Sequence, residues 1–359
     1  MKKSIIGIVA LIMGIGLISC GFSGESVEKT ESVQTSEPNK RIVVGFSQLG
    51  AESDWRSANT ESMKSAFTLE NGYDFIFEDG QQKQSNQITA IRMFIQQEVD
   101  YIVLAPVTET GWDTVLQEAK DVGIPVIIVD RMVDVEDESL FTCWVGSDFE
   151  LEGKKVAEWL NQYALKNGIA PESLNIVNIQ GTIGASAQIG RTKGLNDMAA
   201  KYGWNILAEQ TGDFTQARGK EVMKSFLKQY DDINVVYCEN DNQAFGAIEA
   251  IEEAGKKSGS DIVNGEIMVL SFDGVNDDSM RYVLEDKITC IAECNPLHGP
   301  RVQSIIEQLE KGEAPEKFSY VDEQIFSACE EIRTLSVGEK IYPVTMVTPE
   351  MATSKAEEE

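Results

Sequence analysis

Histidine is nearly missing: a single one, His298, stands in 359 residues. That excludes multi-histidine metal centres and leaves a His-based catalytic triad one candidate base. Cysteine is also scarce, 6 in all, with no C-x-x-C pair. After Cys20 the set is Cys143, Cys238, Cys290, Cys294 and Cys329, an odd remainder that argues against a zinc site or a disulfide framework and fits buried small hydrophobes. Cys290 and Cys294 fall on one expected strand, where four residues span roughly 13 Å, too far for a disulfide. Basic residues number 31 against 59 acidic ones, giving a formal charge of −28, and they do not cluster. Such a surface repels phosphate backbones and anionic lipid, which excludes nucleic-acid binding through bulk charge. Beyond the first twenty positions no apolar run is long enough to span a bilayer as a helix.

What is present begins with a short export signal. Lys2 and Lys3 precede an uncharged run from Ser4 to Ser19 whose apolar part, Ile5 to Ile18, is too short to cross a membrane comfortably. Residues 1–19 therefore read as a signal peptide. The run closes on Leu17-Ile18-Ser19-Cys20, which resembles the lipobox of bacterial lipoproteins and implies cleavage before Cys20 with lipid attached to its thiol. Residues 20–40, rich in Ser, Glu, Thr and Lys, cannot offset their ordering entropy by burial and read as a flexible linker. The expected location is extracytoplasmic, with membrane contact only through the lipid anchor. At the other end, Pro349 to Glu359 is expected to fray.

Between the tails, β-branched apolar runs alternate with amphipathic stretches of helical length. The runs are Ile42 to Phe46, Tyr73 to Phe77, Tyr101 to Leu104, Val126 to Val129 and Phe141 to Val145, then Leu174 to Ile179, Trp204 to Ala208, Val235 to Cys238, Ile267 to Phe272 and Ile288 to Ala292. Near-continuous apolar strands separated by helices indicate an α/β fold of parallel sheets covered on both faces. Size favours two sheets over one very wide one, with a boundary near Gly146 to Phe149. Polar residues gather where the strands end: Ser47-Gln48, Asp79-Gly80-Gln81-Gln82, Asp130-Arg131, Gln180-Gly181-Thr182, Asn240-Asp241, Asp273-Gly274 and Glu293. Ligands of open parallel sheets bind at those carboxyl ends, so two facing edges would make a polar cleft.

The segments Val44-Gly45-Phe46-Ser47-Gln48, Glu52-Ser53-Asp54-Trp55-Arg56, Asp79-Gly80-Gln81-Gln82-Lys83-Gln84 and Thr110-Gly111-Trp112 carry a resemblance, continued by Asp130-Arg131, Gly184-Ala185-Ser186 with Arg191, Gly212-Asp213-Phe214-Thr215, Asn240-Asp241 and Asp273-Gly274. Together they resemble the type I periplasmic substrate-binding proteins for sugars, and among those the galactofuranose binders of bacterial ABC importers. The resemblance runs from about Arg41 to about Phe318. It implies two doubly wound parallel-sheet lobes joined by a hinge of three crossovers, near Asp148, Pro296 and Val321. The N-terminal lobe would comprise residues 41–148 and 296–320, the C-terminal lobe 149–295 and 321–335, and residues 336–359 are left as an unassigned tail.

The ligand-binding candidates are Ser53, Trp55, Arg56, Asp130, Arg131, Arg191, Phe214, Asn240, Asp273 and Glu293. Carboxylates at 130, 273 and 293 accept from hydroxyls while the three arginines donate in planar forks, a balance suited to a neutral monosaccharide and not to a phosphorylated one. Trp55 and Phe214 offer flat faces to the C–H side of a sugar ring. Plainer readings stand beside these: Asp130 with Arg131 as a surface ion pair, Trp55 as a helix staple, Arg191 as a solvated charge, Phe214 as core, Asn240 and Glu293 as hinge props. Asp241 reads as fixing its own loop through backbone amides, and His298 as a helix-entry residue.

No metal, cofactor or enzymatic activity is expected. Gly181-Thr182-Ile183-Gly184-Ala185-Ser186 lacks the lysine and spacing of a phosphate loop, and a glycosidase would need a proton donor that arginine neighbours deny to Asp130 and Asp273. The resemblance implies a monomer that captures a monosaccharide and delivers it to an ABC permease, a carbohydrate-transport role. The alternative is a sugar sensor presenting its closed form to a membrane receptor. A sugar-responsive repressor of the same fold would need a helix-turn-helix where this chain has its export signal.

Overall fold

The computed structural model describes residues 40–353 apart from residue 276. The expected signal peptide (1–19), the lipid-attachment residue Cys20, the linker up to residue 39 and the last six residues lie outside the described residues. No helix among the described residues is long and apolar enough to cross a membrane.

The first sheet takes β1 (Ile42–Gln48), β2 (Tyr73–Asp79), β3 (Tyr101–Leu104), β4 (Val126–Val129) and β5 (Cys143–Gly146), and the second takes β6 (Asn175–Gln180), β7 (Asn205–Thr211), β8 (Val235–Cys238), β9 (Met268–Asp273) and β10 (Cys290–Glu293). Every residue of β3, β4 and β8 is buried, which is why these strands read as unbroken apolar runs. Between strands run α1 (Asp54–Ala66), α2 (Gln84–Gln96), α3 (Asp113–Asp121), α4 (Phe149–Lys166), α5 (Ser186–Tyr202), α6 (Gln216–Gln229), α7 (Asp241–Glu253) and α8 (Asp277–Leu284), with α9 (His298–Glu310) after β10. Apolar residues of α1 and α9 cover one face of the first sheet and those of α2 and α3 the other. On the second sheet α4 and α5 cover one face, α6, α7 and α8 the other.

Later in the chain come the short strands β11 (Phe318–Tyr320), β12 (Ile325–Ser327), β13 (Thr334–Val337), β14 (Lys340–Pro343) and β15 (Thr345–Met346). The orders are β11-β5-β4-β3-β1-β2 and β15-β12-β10-β9-β8-β6-β7, with β13-β14 a separate hairpin. In each large sheet the chain reverses its direction of growth once, between β1 and β3 and between β6 and β8, and these switch points open crevices at the carboxyl ends. The chain passes between the sheets at 147–148, 294–297 and 321–324.

Two expectations need correction. The second sheet is not purely parallel, because β12 runs antiparallel to β10. The C-terminal stretch does not fray at Pro349: Val347, Met351 and Ala352 pack into the core under α8, and Leu335 and Val344 of the hairpin region are buried against α4. Cys143, Cys238, Cys290 and Cys294 are buried free thiols and Cys329 a half-buried one, so Cys290 and Cys294 are unbridged.

Candidate functional site

The cleft is furnished by loops that leave the carboxyl ends of the strands and by the first turns of the succeeding helices. Ser53 caps α1, its hydroxyl accepting from the Arg56 amide at 3.2 Å, and so fixes the turn that carries Trp55 and Arg56. Asn240 caps α7, its oxygen accepting from the Gln243 amide and its nitrogen donating to the Phe214 carbonyl. Asp130 and Arg131 directly follow β4, Asp273 ends β9, and Arg191 sits in the second turn of α5. These groups converge on a small cavity lined by Glu52, Ser53, Trp55, Arg56, Asp130, Arg131, Phe149, Ala187, Arg191, Phe214, Asn240, Asp273 and Cys294.

The cavity wall is a chain of buried ion pairs. Arg56 donates from Nη2 to Asp130 at 2.6 Å and from Nε to Glu52 at 3.3 Å, and Arg131 reaches the same Glu52 oxygen at 3.1 Å while also donating to the Val107 carbonyl at 3.0 Å. Across the cleft, Arg191 donates to Glu152 at 2.7 Å and to Asp273 at 3.3 Å. Each of these charged side chains is at least nine-tenths buried. Burial alone would raise the Asp130 carboxyl, but Arg56 and Arg131 hold it below the usual carboxylate range. Burial, with repulsion from Arg56, brings the Arg131 guanidinium down to about 10. For Asp273 burial wins: with Asp241 nearby and Arg191 opposing, its carboxyl is pushed well above the usual range. Glu52 Oε2 and Arg56 Nη1 are buried without a partner, one free acceptor beside one free donor. Together they suit a hydroxyl, which accepts and donates at once.

The two aromatic platforms are partly occupied by the protein itself. The Arg56 guanidinium lies 4.5 Å from the Trp55 ring centroid, and that of Arg131 lies 5.1 Å from Phe214. Trp55 is fixed further by its indole N–H, which donates to the Cys294 carbonyl at 2.6 Å. Three cavity residues other than glycine hold left-handed backbone: Asp130 (φ 61°), Phe214 (φ 59°) and Asp273 (φ 95°). Such conformations cost about 1–3 kcal/mol each and gather where side chains must be aimed against local preference. Gly181 answers Phe214: a Cβ there would lie 1.9 Å from the Phe214 ring, so only glycine lets the ring settle. Beneath it, buried Glu239 accepts from the Gly181 amide at 2.7 Å and from the Thr192 hydroxyl at 2.5 Å, and burial lifts its carboxyl to about 7.

The two sides of the cleft touch. The Glu109 amide donates to the Gly184 carbonyl at 3.0 Å, the Met132 amide donates to the Ser186 hydroxyl at 2.9 Å, and Asp54 and Asn242 exchange bonds of 3.0 and 3.1 Å. The glycine-containing segment 181–186, with no phosphate-loop spacing, thus supplies both a seat for Phe214 and part of a latch.

Of the residues proposed from sequence, Ser53, Trp55, Arg56, Asp130, Arg131, Arg191, Phe214, Asn240 and Asp273 are brought to one cavity. Glu293 is not: its carboxylate accepts from the Gln324 amide at 3.0 Å and from Asn295 at 3.1 Å, because β10 runs straight into a crossover and its last side chain serves the crossover. Cys294, one residue later, faces the cavity instead. The three-against-three charge balance fails with it, since Glu52 and Glu152 both join the wall. The depressed pKa expected of both aspartates holds for Asp130 and fails for Asp273, whose carboxyl burial pushes up instead. Asp241 takes the Gly274 amide at 2.8 Å and the Ser271 and Ser279 hydroxyls, a loop anchor. His298 opens α9, fully buried, with Nδ1 on Asn59 at 2.9 Å and a ring that burial lowers to about 4.

The periplasmic binding protein domain family matches residues 44–292. The chain is 42% identical over 291 residues to the galactofuranose-binding protein YtfQ of Escherichia coli, an alignment covering 79% of this chain and 87% of that one. Among solved structures, a Mycobacterium smegmatis protein in complex with β-D-fucofuranose is 42% identical with a TM-score of 0.74, covering 80% of this chain and 91% of that one. The periplasmic binding component of the arabinose ABC transporter from a Shewanella species, bound to α- and β-L-arabinofuranose, is 40% identical with a TM-score of 0.73, covering 80% and 92%.

Proposed function

The chain belongs to the periplasmic binding protein domain family, and from that premise we propose that it is an extracytoplasmic solute-binding protein which captures a monosaccharide in furanose form and delivers it to an ABC importer. One observation carries the ring form: three relatives at 40–42% identity are described with galactofuranose, fucofuranose and arabinofuranose. The cavity agrees with it on physical grounds. Its free polar atoms, Glu52 Oε2 and Arg56 Nη1, ask for a hydroxyl. The relatives are named as binding proteins.

Residues from both sheets surround the cavity, so a sugar gains its full set of bonds only with the lobes shut, and the difference in affinity between shut and open forms drives closure. The crossovers at 147–148, 294–297 and 321–324 are where backbone rotation would concentrate. Calorimetric titration of galactofuranose, L-arabinofuranose and their pyranose forms is expected to show binding confined to furanoses, and saturating ligand is expected to hold the radius of gyration at its compact value. Tightest binding of a pyranose, or of none of these sugars, would overturn the assignment.

The same reading makes Cys20 the mature N-terminus, with lipid on its thiol, tethering a monomeric binding body near its permease. Cys20→Ser is then expected to shift the protein from the membrane fraction to the soluble one or to leave it uncleaved; unaltered fractionation would remove the anchor from the proposal.

A further inference from the structure

Behind the cavity floor, the hinge holds a cluster that sugar binding does not explain. Glu152 of α4, Cys294 of the second crossover and Glu323 of the third bring one carboxylate or thiolate atom each within 4.8 Å of one another. Glu323 joins all the crossovers: its Oε1 accepts from the Ser147 hydroxyl at 2.6 Å on the first and from the Asn295 amide at 2.7 Å on the second. Lys155 of α4 donates to the Glu323 carbonyl at 2.9 Å and lies 4.6 Å from the Tyr342 ring of β14, so the hairpin rests on the same joint. Glu152 gives one oxygen to Arg191 and leaves the other, Oε1, buried without a partner.

Two buried carboxyls side by side cannot both be ionised, and a proton between them satisfies the orphan oxygen of Glu152. We propose that Glu152 and Glu323 share one proton when the lobes are shut and release it to solvent when the hinge opens, so that sugar capture takes up a proton. A cation would fit the cluster less well. The Arg191 guanidinium and Lys155 ammonium already supply positive charge, and burial pushes the Cys294 thiol well above its usual range, away from the thiolate a metal needs.

The other charged groups around the pair do not replace the proton. Arg301 of α9 faces Glu323 and Glu293 but donates to the Asn295 side chain, and Asp273 of β9 shares the Arg191 guanidinium with Glu152. Burial, with the Glu152 charge second, pushes the Glu323 carboxyl up to about 9 against the Ser147 and Asn295 bonds. Ser147, Asn295 and Glu323 all stand on crossovers, while Glu152 stands on a lobe helix, so hinge rotation separates the pair and admits water. The open carboxyl then returns toward its ordinary value of about 4.3. Below that value both forms are protonated and affinity is flat, and above it the shut form holds the extra proton. Affinity then falls as pH rises, by at most roughly tenfold per pH unit, until Glu323 ionises in the shut form too.

This inference rests on the sugar-capture reading, and its test separates the two. Calorimetric titration of the full chain with galactofuranose in buffers of different ionisation enthalpy is expected to show net proton uptake at pH 7.5, with affinity falling roughly threefold or more from pH 6.5 to 8.5. Glu323→Gln keeps an amide donor toward Glu152 and an acceptor toward Ser147, and is expected to take up less proton than the wild type, Asp273 in the cleft wall remaining, and to flatten that slope. Equal uptake and slope in both proteins, or none in the wild type, overturns the proposal. Absence of heat at every pH counts instead against the sugar reading. The pair is still decided without ligand by Asp54→Cys with Asn242→Cys, which locks the cleft shut. A protonated carboxyl band in the infrared at pH 7.5 that Glu323→Gln removes supports the shared proton, and its absence from the locked protein overturns it.

Discussion

Asp130→Ala is expected to weaken sugar binding by about 3 kcal/mol or more, roughly two orders of magnitude, while leaving the unliganded protein folded. In the shut cleft the Arg56 guanidinium is desolvated and meets Asp130 at 2.6 Å, its other carboxylate contact, Glu52, being longer and shared with Arg131. Removing Asp130 leaves a buried positive charge half-compensated, a loss of about 3–5 kcal/mol when it occurs in a protein interior. With the cleft open, water hydrates the same guanidinium. The cost therefore falls on closure, and so on affinity rather than on folding. Arg131→Ala removes a charged bond to Glu52 and one to the Val107 carbonyl and should cost about 2 kcal/mol of binding. Wild-type affinity in either variant, measured by titration with galactofuranose, would show that this pair does not serve the ligand.

The same geometry sets the acid limb of the pH profile. The Asp130 carboxyl sits below its ordinary range in the shut form, so its contribution is complete above the ordinary value of about 3.9 and is lost as pH falls through the shut-form value. It gives no dependence near neutrality. A change of affinity between pH 6.5 and 8.5 must come from groups whose carboxyls are raised, Glu323 at the hinge and Asp273 in the cleft wall, opposite in sign to Asp130, and Glu323→Gln isolates the hinge share.

How much of this was legible in the sequence depended on whether local burial or distant pairing decided the outcome. β3, β4 and β8 are buried on both faces, so their apolar runs mark them to the residue. β12 and β15 span three and two residues and exist only because β10 offers an edge to β12 and β12 one to β15, which no periodicity over so few positions can announce. At the site, residues directly after a strand were legible because the carboxyl end of a parallel strand is where side chains meet ligand. Glu52 escaped because it lies in a loop before its helix, although its place four residues ahead of Arg56 was a signal for an ion pair. Glu152 left a clearer mark: it occupies the apolar register of α4, between Phe149 and Val156, where a charge is tolerated only with a buried partner. Glu293 misled because a strand-end residue faces ligand only when the chain turns there into a loop and helix of the same lobe, whereas β10 leads into the hinge.

The buried partner of Glu152, Arg191, is held by a close helix contact, and Gly194→Leu is expected to break it. α4 and α5 approach so nearly at Gly153 and Gly194 that a Cβ at 194 would lie 2.8 Å from the Glu150 carbonyl oxygen and from Gly153 backbone atoms, with no flexible side-chain tip to yield. Glycine inside a helix costs about 1 kcal/mol relative to alanine, a penalty this chain accepts at both positions of the contact. The return is the 2.7 Å bond between Arg191 Nε and Glu152, one residue from Gly153 on α4 and one turn from Gly194 on α5, with the Tyr237 hydroxyl bracing the Arg191 carbonyl at 2.9 Å. A leucine at 194 must push the helices apart. Overpacking alone costs about 1–3 kcal/mol, and stretching the buried pair adds to it, so a loss of about 4 kcal/mol of folding stability is expected, read as a lower urea midpoint with unchanged slope. Because Arg191 also carries Asp273 to the cavity, the folded fraction of this variant should bind galactofuranose at least roughly tenfold more weakly, the scale of one lost charged hydrogen bond. An unchanged midpoint together with unchanged affinity would mean that the helices can part without disturbing the site, and that the close approach of Gly153 and Gly194 is not what aims Arg191.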